Sequence, residues 1–328
     1  MKEEKTYRKR HRLRHLLFTL LVIFILLLGS LYLLVNALYG KMTYEEAEGF
    51  TEEPWREEDV IHILLIGNDS RKDGEDGRSD AMILLSVSDR TGKIYITSLL
   101  RDMYVAIPGY EGNRLNAAYA FGGPELLMET IGQNLGINVN RYVLVNFEAF
   151  ANLVDAVGGV DLELTSEELE YVNGYLVEYN MLTKRPEGTD YLDTAASGMV
   201  HLNGPQALAY SRIRYIGTDF GRTQRQRNVL TDVMKKLPMA LITEPNRLLD
   251  GLLPNLTTNL TRNECFFLSL NSGKMLLYDI EQGSVPIEGS YRDATIRGMS
   301  VLEVDFDKNR QWLSENIYGE QAYDKGRK

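Results

Sequence analysis

The most sustained feature of the hydrophobic pattern is an uncharged run, LLFTLLVIFILLLGSLYLLV, at residues 16–35, which continues without charge to Gly40. In a helix, about 20 residues at about 1.5 Å each cover about 30 Å, the thickness of a bilayer's hydrocarbon core. A cleaved signal peptide has a shorter apolar core and a small-x-small cleavage site, and the VNALYG that follows here matches poorly. The run therefore predicts a transmembrane signal anchor over 16–38. Lys2, Lys5, Arg8, Lys9, Arg10, Arg12 and Arg14 precede it, in a basic tail over 1–15. Positive charge stays on the cytoplasmic side, so the expected topology is single-pass in the cell membrane, N-terminus inside and the remainder outside.

Residues 39–59 are polar and acidic and read as a juxtamembrane stalk. Beyond them short apolar runs alternate with helical periodicity. VIHILLIG (60–67), AMILLSVS (81–88) and KIYITSLL (93–100) predict buried strands. The DRTG turn between the last two requires them to be antiparallel. PELLMETIGQNLG (124–136) predicts a helix with Pro124 at its first position and Leu127, Ile131 and Leu135 at spacings of four. YVLVNF (142–147) is strand-like, FEAFANLVDAV (147–157) carries a helical apolar stripe closed by Gly158-Gly159, and VDLEL (160–164) is a strand. Residues 165–203 read as an irregular polar excursion. Helices follow at 204–211 and 221–237, a strand at 275–280 and an amphipathic helix near 308–317, before a tail at 319–328. The mixture predicts one α/β domain over 60–318, a central mixed β-sheet flanked by helices, preceded by one transmembrane helix.

Charge narrows the chemistry. The net charge is −10. The first 15 residues hold seven basic residues against Glu3 and Glu4, a net of +5, so the remainder carries −15. An acidic body excludes non-specific nucleic-acid binding, which needs a broad basic surface. A single cysteine, Cys265, and four scattered histidines offer neither a zinc pattern nor a Ser-His-Asp triad. Glycine-rich nucleotide motifs are also missing from the sequence. Any anion must meet a local basic cluster.

Four clusters qualify. Asp69, Arg71, Arg78 and Asp80 share the loop between the first two strands. Such a set suits Mg²⁺ plus a phosphate, although by spacing alone a solvated charged loop is the better explanation. Arg101 closes a buried strand, either as the ion-pair partner of Asp102 or as an anion ligand. Arg114 and Asn116 would share one side of an extended segment. The fullest cluster is ALAYSRIRYIGTDFGRTQRQR (207–227). An extended chain would place Arg212 and Arg214 on one face. Arg222, Arg225 and Gln226 share a helical face, with Arg227 on another. Arginine at a helix N-terminus opposes the dipole, and an anion bound there would resolve the conflict.

LLIGNDSR with GRSD, then SLLRDMYV, RLNAAYAFGG, FANLVDAVGGVDL, HLNGPQALAYSRIR and DFGRTQRQR resemble the LytR-CpsA-Psr family in order and spacing. The resemblance implies an α-β-α fold and a polyprenyl pyrophosphate whose lipid lies in an apolar tunnel. It implies transfer of an anionic glycopolymer, of teichoic acid or capsular type, to the muramic acid 6-hydroxyl of a peptidoglycan acceptor. Asp69 and Asp80 then match the metal-associated acids, for Mg²⁺ or Mn²⁺. Arg78, Arg101, Arg212, Arg214, Arg222 and Gln226 match pyrophosphate-contacting positions, and Arg114 sits where the family has Lys or Arg. Asp69, Asp80, Arg78 and Arg101 are the expected catalytic set. Ala117 stands where the family commonly has His. A pyrophosphatase acting on the same lipid and a non-enzymatic transcriptional attenuator are the alternatives, the latter opposed by the external domain.

Overall fold

The computed structural model describes residues 2–47, 50, 56–57, 59–68, 79–243, 245–247 and 251–319. Helix α1 (Lys2–Tyr39) is followed by strands β1 (Thr43–Tyr44), β2 (Arg56–Glu57), β3 (Val60–Asn68), β4 (Ser79–Ser88), β5 (Lys93–Leu99), β6 (Tyr104–Val105) and β7 (Asn113–Arg114). Then come α2 (Leu115–Leu135), β8 (Tyr142–Asn146), α3 (Phe147–Ala156), β9 (Val160–Leu164), α4 (Ser166–Leu182) and β10 (Gly198–Leu202). Next are α5 (Gly204–Arg212), α6 (Asp219–Thr243), the single turn α7 (Pro245–Arg247), β11 (Leu256–Thr258) and α8 (Arg262–Met275). The chain ends with β12 (Asp279–Val285), β13 (Tyr291–Ile296), β14 (Met299–Val304), α9 (Phe306–Leu313) and a π-helical turn, Ser314–Tyr318.

The main sheet has the order β1-β11-β8-β3-β4-β5-β12, with β2 also on β3. It is mixed: β3 with β8 and β5 with β12 are parallel, whereas β3 with β4 and β4 with β5 are antiparallel. Strand β3 reads as a continuous apolar run because both its faces are covered. Val60, Leu64 and Ile66 face a core completed by Leu127, Ile131 and Leu135 of α2 and Leu313 of α9. Ile61 and Ile63 face the opposite way, toward Cys265, Phe267 and Leu268 of α8. A third core gathers Val154 of α3, Val172 of α4, Ala209 of α5 and Val229 of α6. His62 lies on the first face, with its Nδ1 2.7 Å from Ser86 Oγ and its Nε2 2.8 Å from Tyr318 OH. Burial pushes its pKa down to about 4.

Within α1, Leu17–Tyr39 (23 residues) is long and apolar enough to cross a membrane. Its C-terminal end packs on α8, where Tyr32 meets Phe266 edge-on at 5.4 Å and Arg262 covers Tyr39 at 5.5 Å.

Several elements differ from the sequence expectation. The stalk is partly domain: β1 pairs with β11, β2 pairs with β3, and Ala47 is fully buried. The excursion at 165–203 contains the 17-residue helix α4, started by a reciprocal capping box between Thr165 and Glu168, and the strand β10. The segment around Asn116 is helical from Leu115. Gly122 and Gly123 kink α2 before Pro124, and that break concealed the first half of the helix. Arg114 is its N-cap, so Arg114 and Asn116 are not paired by an extended backbone. Helix α8 and the β13–β14 hairpin were not anticipated, and the late strand runs over β12 rather than 275–280.

Candidate functional site: a basic mouth on an apolar cavity

The site begins at α5. Asn203 caps this helix in a reciprocal pair with Gln206, and Pro205 occupies its first turn. Gly204 is required at the start: a Cβ there would lie 2.2 Å from the Ala151 carbonyl oxygen. This contact lets α5 lie close against α3, and it fixes where the last turn of α5 delivers Arg212. Helix α5 runs through Arg212, one residue beyond the predicted end, so Arg212 and Arg214 do not flank Ile213 on an extended chain. Ile213 is fully buried instead, and the two guanidiniums reach the same cavity from a helix end and from the loop after it.

That cavity, of about 320 Å³, is lined by Gly67, Ala81, Phe147, Tyr175, Ser211, Arg212, Arg214, Tyr215, Arg222 and Gln226. It holds three arginines and no acidic residue among its described lining residues. Arg212 lies over the rings of Phe147 at 4.9 Å and Tyr175 at 5.3 Å, and its Nη2 is 3.4 Å from Glu178 Oε2. The aromatic clamp orients the fork without neutralising it. Arg222 donates to Asp219 across the first turn of α6, at 3.0 Å. Asp219 is itself in that turn, so the dipole conflict inferred from the sequence is partly relieved within the helix. Gln226 Oε1 is buried and meets no donor among the described residues, an unmet acceptor in the wall of a cavity.

Arg225 and Arg227 do not line the mouth. Arg225 is buried and donates to Glu168 Oε1 at 2.9 Å and to the Ile216 carbonyl at 3.2 Å, tying α6 to α4. Arg227 is buried too, bonded to Gln224, and burial pushes its pKa down to about 10. It is structural and not solvated. Arg101 and Arg114 line a neighbouring cavity of about 410 Å³ with Asp102 and Asp219. Arg101 Nε is 3.6 Å from both Asp102 and Asp219, and Arg114 Nε is 3.7 Å from Asp102. Asp69, Arg71 and Arg78 lie outside the described residues, as does the side chain of Asp80. Strands β3 and β4 are nevertheless paired up to Asn68 and Ser79, so both ends of that loop emerge beside Gly67 and Ala81 at the mouth.

The mouth opens inward onto an apolar cavity of about 220 Å³ between the sheet and α3, α5 and α6. Leu65, Ile83, Val143 and Val145 of the strands face Phe150, Leu153, Leu208, Leu230 and Val233 of the helices. Gly67, Ala81, Phe147, Ser211, Arg212 and Gln226 line both cavities, so the two are continuous. Tyr175 and Tyr215 were missed at the sequence level. The Thr165–Glu168 capping signal would have revealed the helix that carries Tyr175.

The model of the LytR_cpsA_psr family matches residues 34–316. The chain belongs to this family. Among LytR-CpsA-Psr relatives, a protein of Bacillus mycoides (strain KBAB4) is 35% identical over 235 residues, 70% of this chain and 69% of its own length. It is named polyisoprenyl-teichoic acid–peptidoglycan teichoic acid transferase TagU. The fold is that of TagT bound to LI-WTA, with a TM-score of 0.64 at 24% identity, over 84% of this chain and 99% of that one. TagT with bound octaprenyl pyrophosphate lipid superposes with a TM-score of 0.59 at 23% identity, over the same 84% and 99%.

Proposed function

We propose that this LytR-CpsA-Psr protein is a membrane-anchored phosphotransferase that moves an anionic glycopolymer of teichoic acid type from a polyprenyl-pyrophosphate carrier to peptidoglycan. The observation that carries this reading is the continuity of a three-arginine mouth with an apolar cavity. An amphiphile with an anionic pyrophosphate and a hydrocarbon tail matches both, and the name of the TagU relative points to the same chemistry. Arg212, Arg214 and Arg222 bind the pyrophosphate oxygens, with Gln226 beside them, while the polyprenyl chain enters between sheet and helices. The anchor lies N-terminus inside, on the basic tail's preference, which puts the mouth on the outer side where the acceptor is.

Asp69 directly follows β3 in the sequence and Asp80 is the second residue of β4, and these two strands pair beside the mouth, so their hard oxygens suit Mg²⁺ next to a pyrophosphate. Bound there, the ion would neutralise charge developing on the phosphates. Arg78, on the same loop, would add a further guanidinium. The arginines hold the phosphorus that bears the glycan in line with an incoming hydroxyl. A bond forms between the acceptor oxygen and that phosphorus, and the bond from phosphorus to the bridging oxygen breaks. Polyprenyl phosphate leaves with the electron pair, and the hydroxyl proton passes to a base or to solvent.

Product analysis of the full-length protein with a polyprenyl-pyrophosphate-linked saccharide tests this. The expected products, formed only with peptidoglycan acceptor, are polyprenyl phosphate and a phosphodiester-linked glycan. Equal release of polyprenyl phosphate without acceptor, and no glycan on the acceptor, would make the protein a hydrolase and exclude the transferase.

A further inference from the structure

We infer that the cavity beside the mouth, lined by Arg101, Asp102, Arg114, Asp219, Tyr291 and Asp293, is the subsite for the acceptor saccharide. This rests on the transferase reading above.

Charge separates the two cavities. The mouth has three arginines and no acid among its described lining residues, whereas the neighbour sets two arginines against three aspartates. A second anion is unfavourable there, but a neutral polyol is not. Its hydroxyls can donate to Asp102, Asp219 and Asp293 and accept from Arg101 and Arg114. One flank is apolar: Phe220 and Tyr291 stack with ring centres 5.0 Å apart and planes 26° apart, a surface for the C–H face of a sugar ring. The volume of about 410 Å³ falls within the range of about 300–1,000 Å³ expected for small-ligand sites.

The cavity is also next to the reacting phosphate. Asp219 Oδ2 accepts from Arg222 of the mouth at 3.0 Å and lies 3.6 Å from Arg101 of the neighbour. One carboxylate is thus the partition between donor and acceptor compartments. A sugar held against Tyr291 would present a hydroxyl across that partition to the phosphorus gripped by Arg222. The outer wall is the β13–β14 hairpin, held in place through Leu302 N donating to the Asp102 carbonyl at 2.8 Å, Arg114 Nε donating to the Ser300 carbonyl at 3.0 Å, and an Arg297–Glu111 ion pair. A second-substrate site explains why a hairpin outside the main sheet is anchored to the strand end that carries Arg101.

The test uses full-length protein in detergent micelles with a saturating polyprenyl-pyrophosphate-linked saccharide, and titrates a soluble peptidoglycan oligosaccharide as acceptor. Asp293→Asn and Tyr291→Ala should each raise the acceptor KM by about tenfold, the loss of one good polar or stacking contact, and leave kcat and donor affinity at wild-type values. Asp293 is exposed, so its variant should melt like the wild type and remain informative if Tyr291→Ala does not fold. An unchanged acceptor KM in a folded Asp293→Asn would overturn the proposal. Weakened donor binding with unchanged acceptor KM would overturn it too, because the cavity would then belong to the pyrophosphate. If wild type binds donor and transfers nothing to any oligosaccharide, the transferase reading itself fails and takes the subsite with it.

Discussion

Lowering the pH from 7.5 to 5 should destabilise the domain through one residue, His62. Its ring is buried on β3, between Ser86 on β4 and Tyr318 in the π-helical turn. Both hydroxyls can donate or accept, so protonation would not break the pairings. Its cost is desolvation of the cation, which pushes the folded pKa from 6.5 down to about 4. Above pH 6.5 both folded and unfolded chains carry neutral imidazole, and stability is indifferent to this group. Between pH 6.5 and 4 the unfolded chain takes up a proton that the folded chain refuses, so stability falls as pH falls. At about 1.4 kcal/mol per unit the full shift is worth about 3 kcal/mol, of which about 2 kcal/mol is lost by pH 5. Two carboxylates shifted by their partners titrate below this window. Asp161 is held low by Lys236 and then by His201. At Asp89 hydrogen bonds from Tyr278 and Lys274 outweigh burial. Both lie below their ordinary 3.8, so what they contribute disappears only in stronger acid. Urea titrations of the protein in micelles, followed by tryptophan fluorescence, should show this slope in wild type and not in His62→Gln. Parallel pH dependence in the two proteins would refute the assignment.

Arg225 and Glu168 form a buried pair, with side chains 8% and 13% exposed, so Arg225→Ala should cost about 3 kcal/mol of stability. Donor affinity measured below the melting transition should be unchanged, and lost affinity without lost stability would return Arg225 to the binding site. Burial, and then Glu264, pushes the Cys265 thiol from 9.0 up to about 11, which depletes thiolate by about a hundredfold. Alkylation at pH 8 should therefore be slow until denaturant is added, and fast native labelling would contradict the packing of α8.

The sheet strands and α3 were legible because their patterns are local: a buried run such as VIHILLIG, or a stripe such as Phe147, Phe150 and Val154, announces itself. The basic cluster was legible for the same reason, as six of its residues lie within 16 positions, from Arg212 to Arg227. Which of them converge was not. Arg225 has the same helical spacing from Arg222 as a ligand would, but Glu168, 57 residues away, and the Ile216 carbonyl make it structural. The reverse holds for Arg101 and Arg222, remote in sequence and joined through Asp219. The amphipathic signal of α4 was obscured by its polar face, although Leu169, Val172 and Leu176 are all fully buried. The hairpin β13–β14 carries alternating polar residues that read as loop, because only one side of it meets the domain. The match to TagU and the family model agree with the resemblance carried by the sequence motifs.

The central claim is that the arginine mouth and the apolar cavity form one site for a lipid pyrophosphate. Isothermal titration of a short polyprenyl-pyrophosphate analogue into the full-length protein tests it most directly, comparing wild type with Arg212→Ala, which removes the guanidinium shared by both cavities. A charge-assisted contact of about 1.5–3 kcal/mol predicts affinity weaker by about 10- to 150-fold, with the melting temperature unchanged. Wild-type affinity in a folded Arg212→Ala protein would contradict the account.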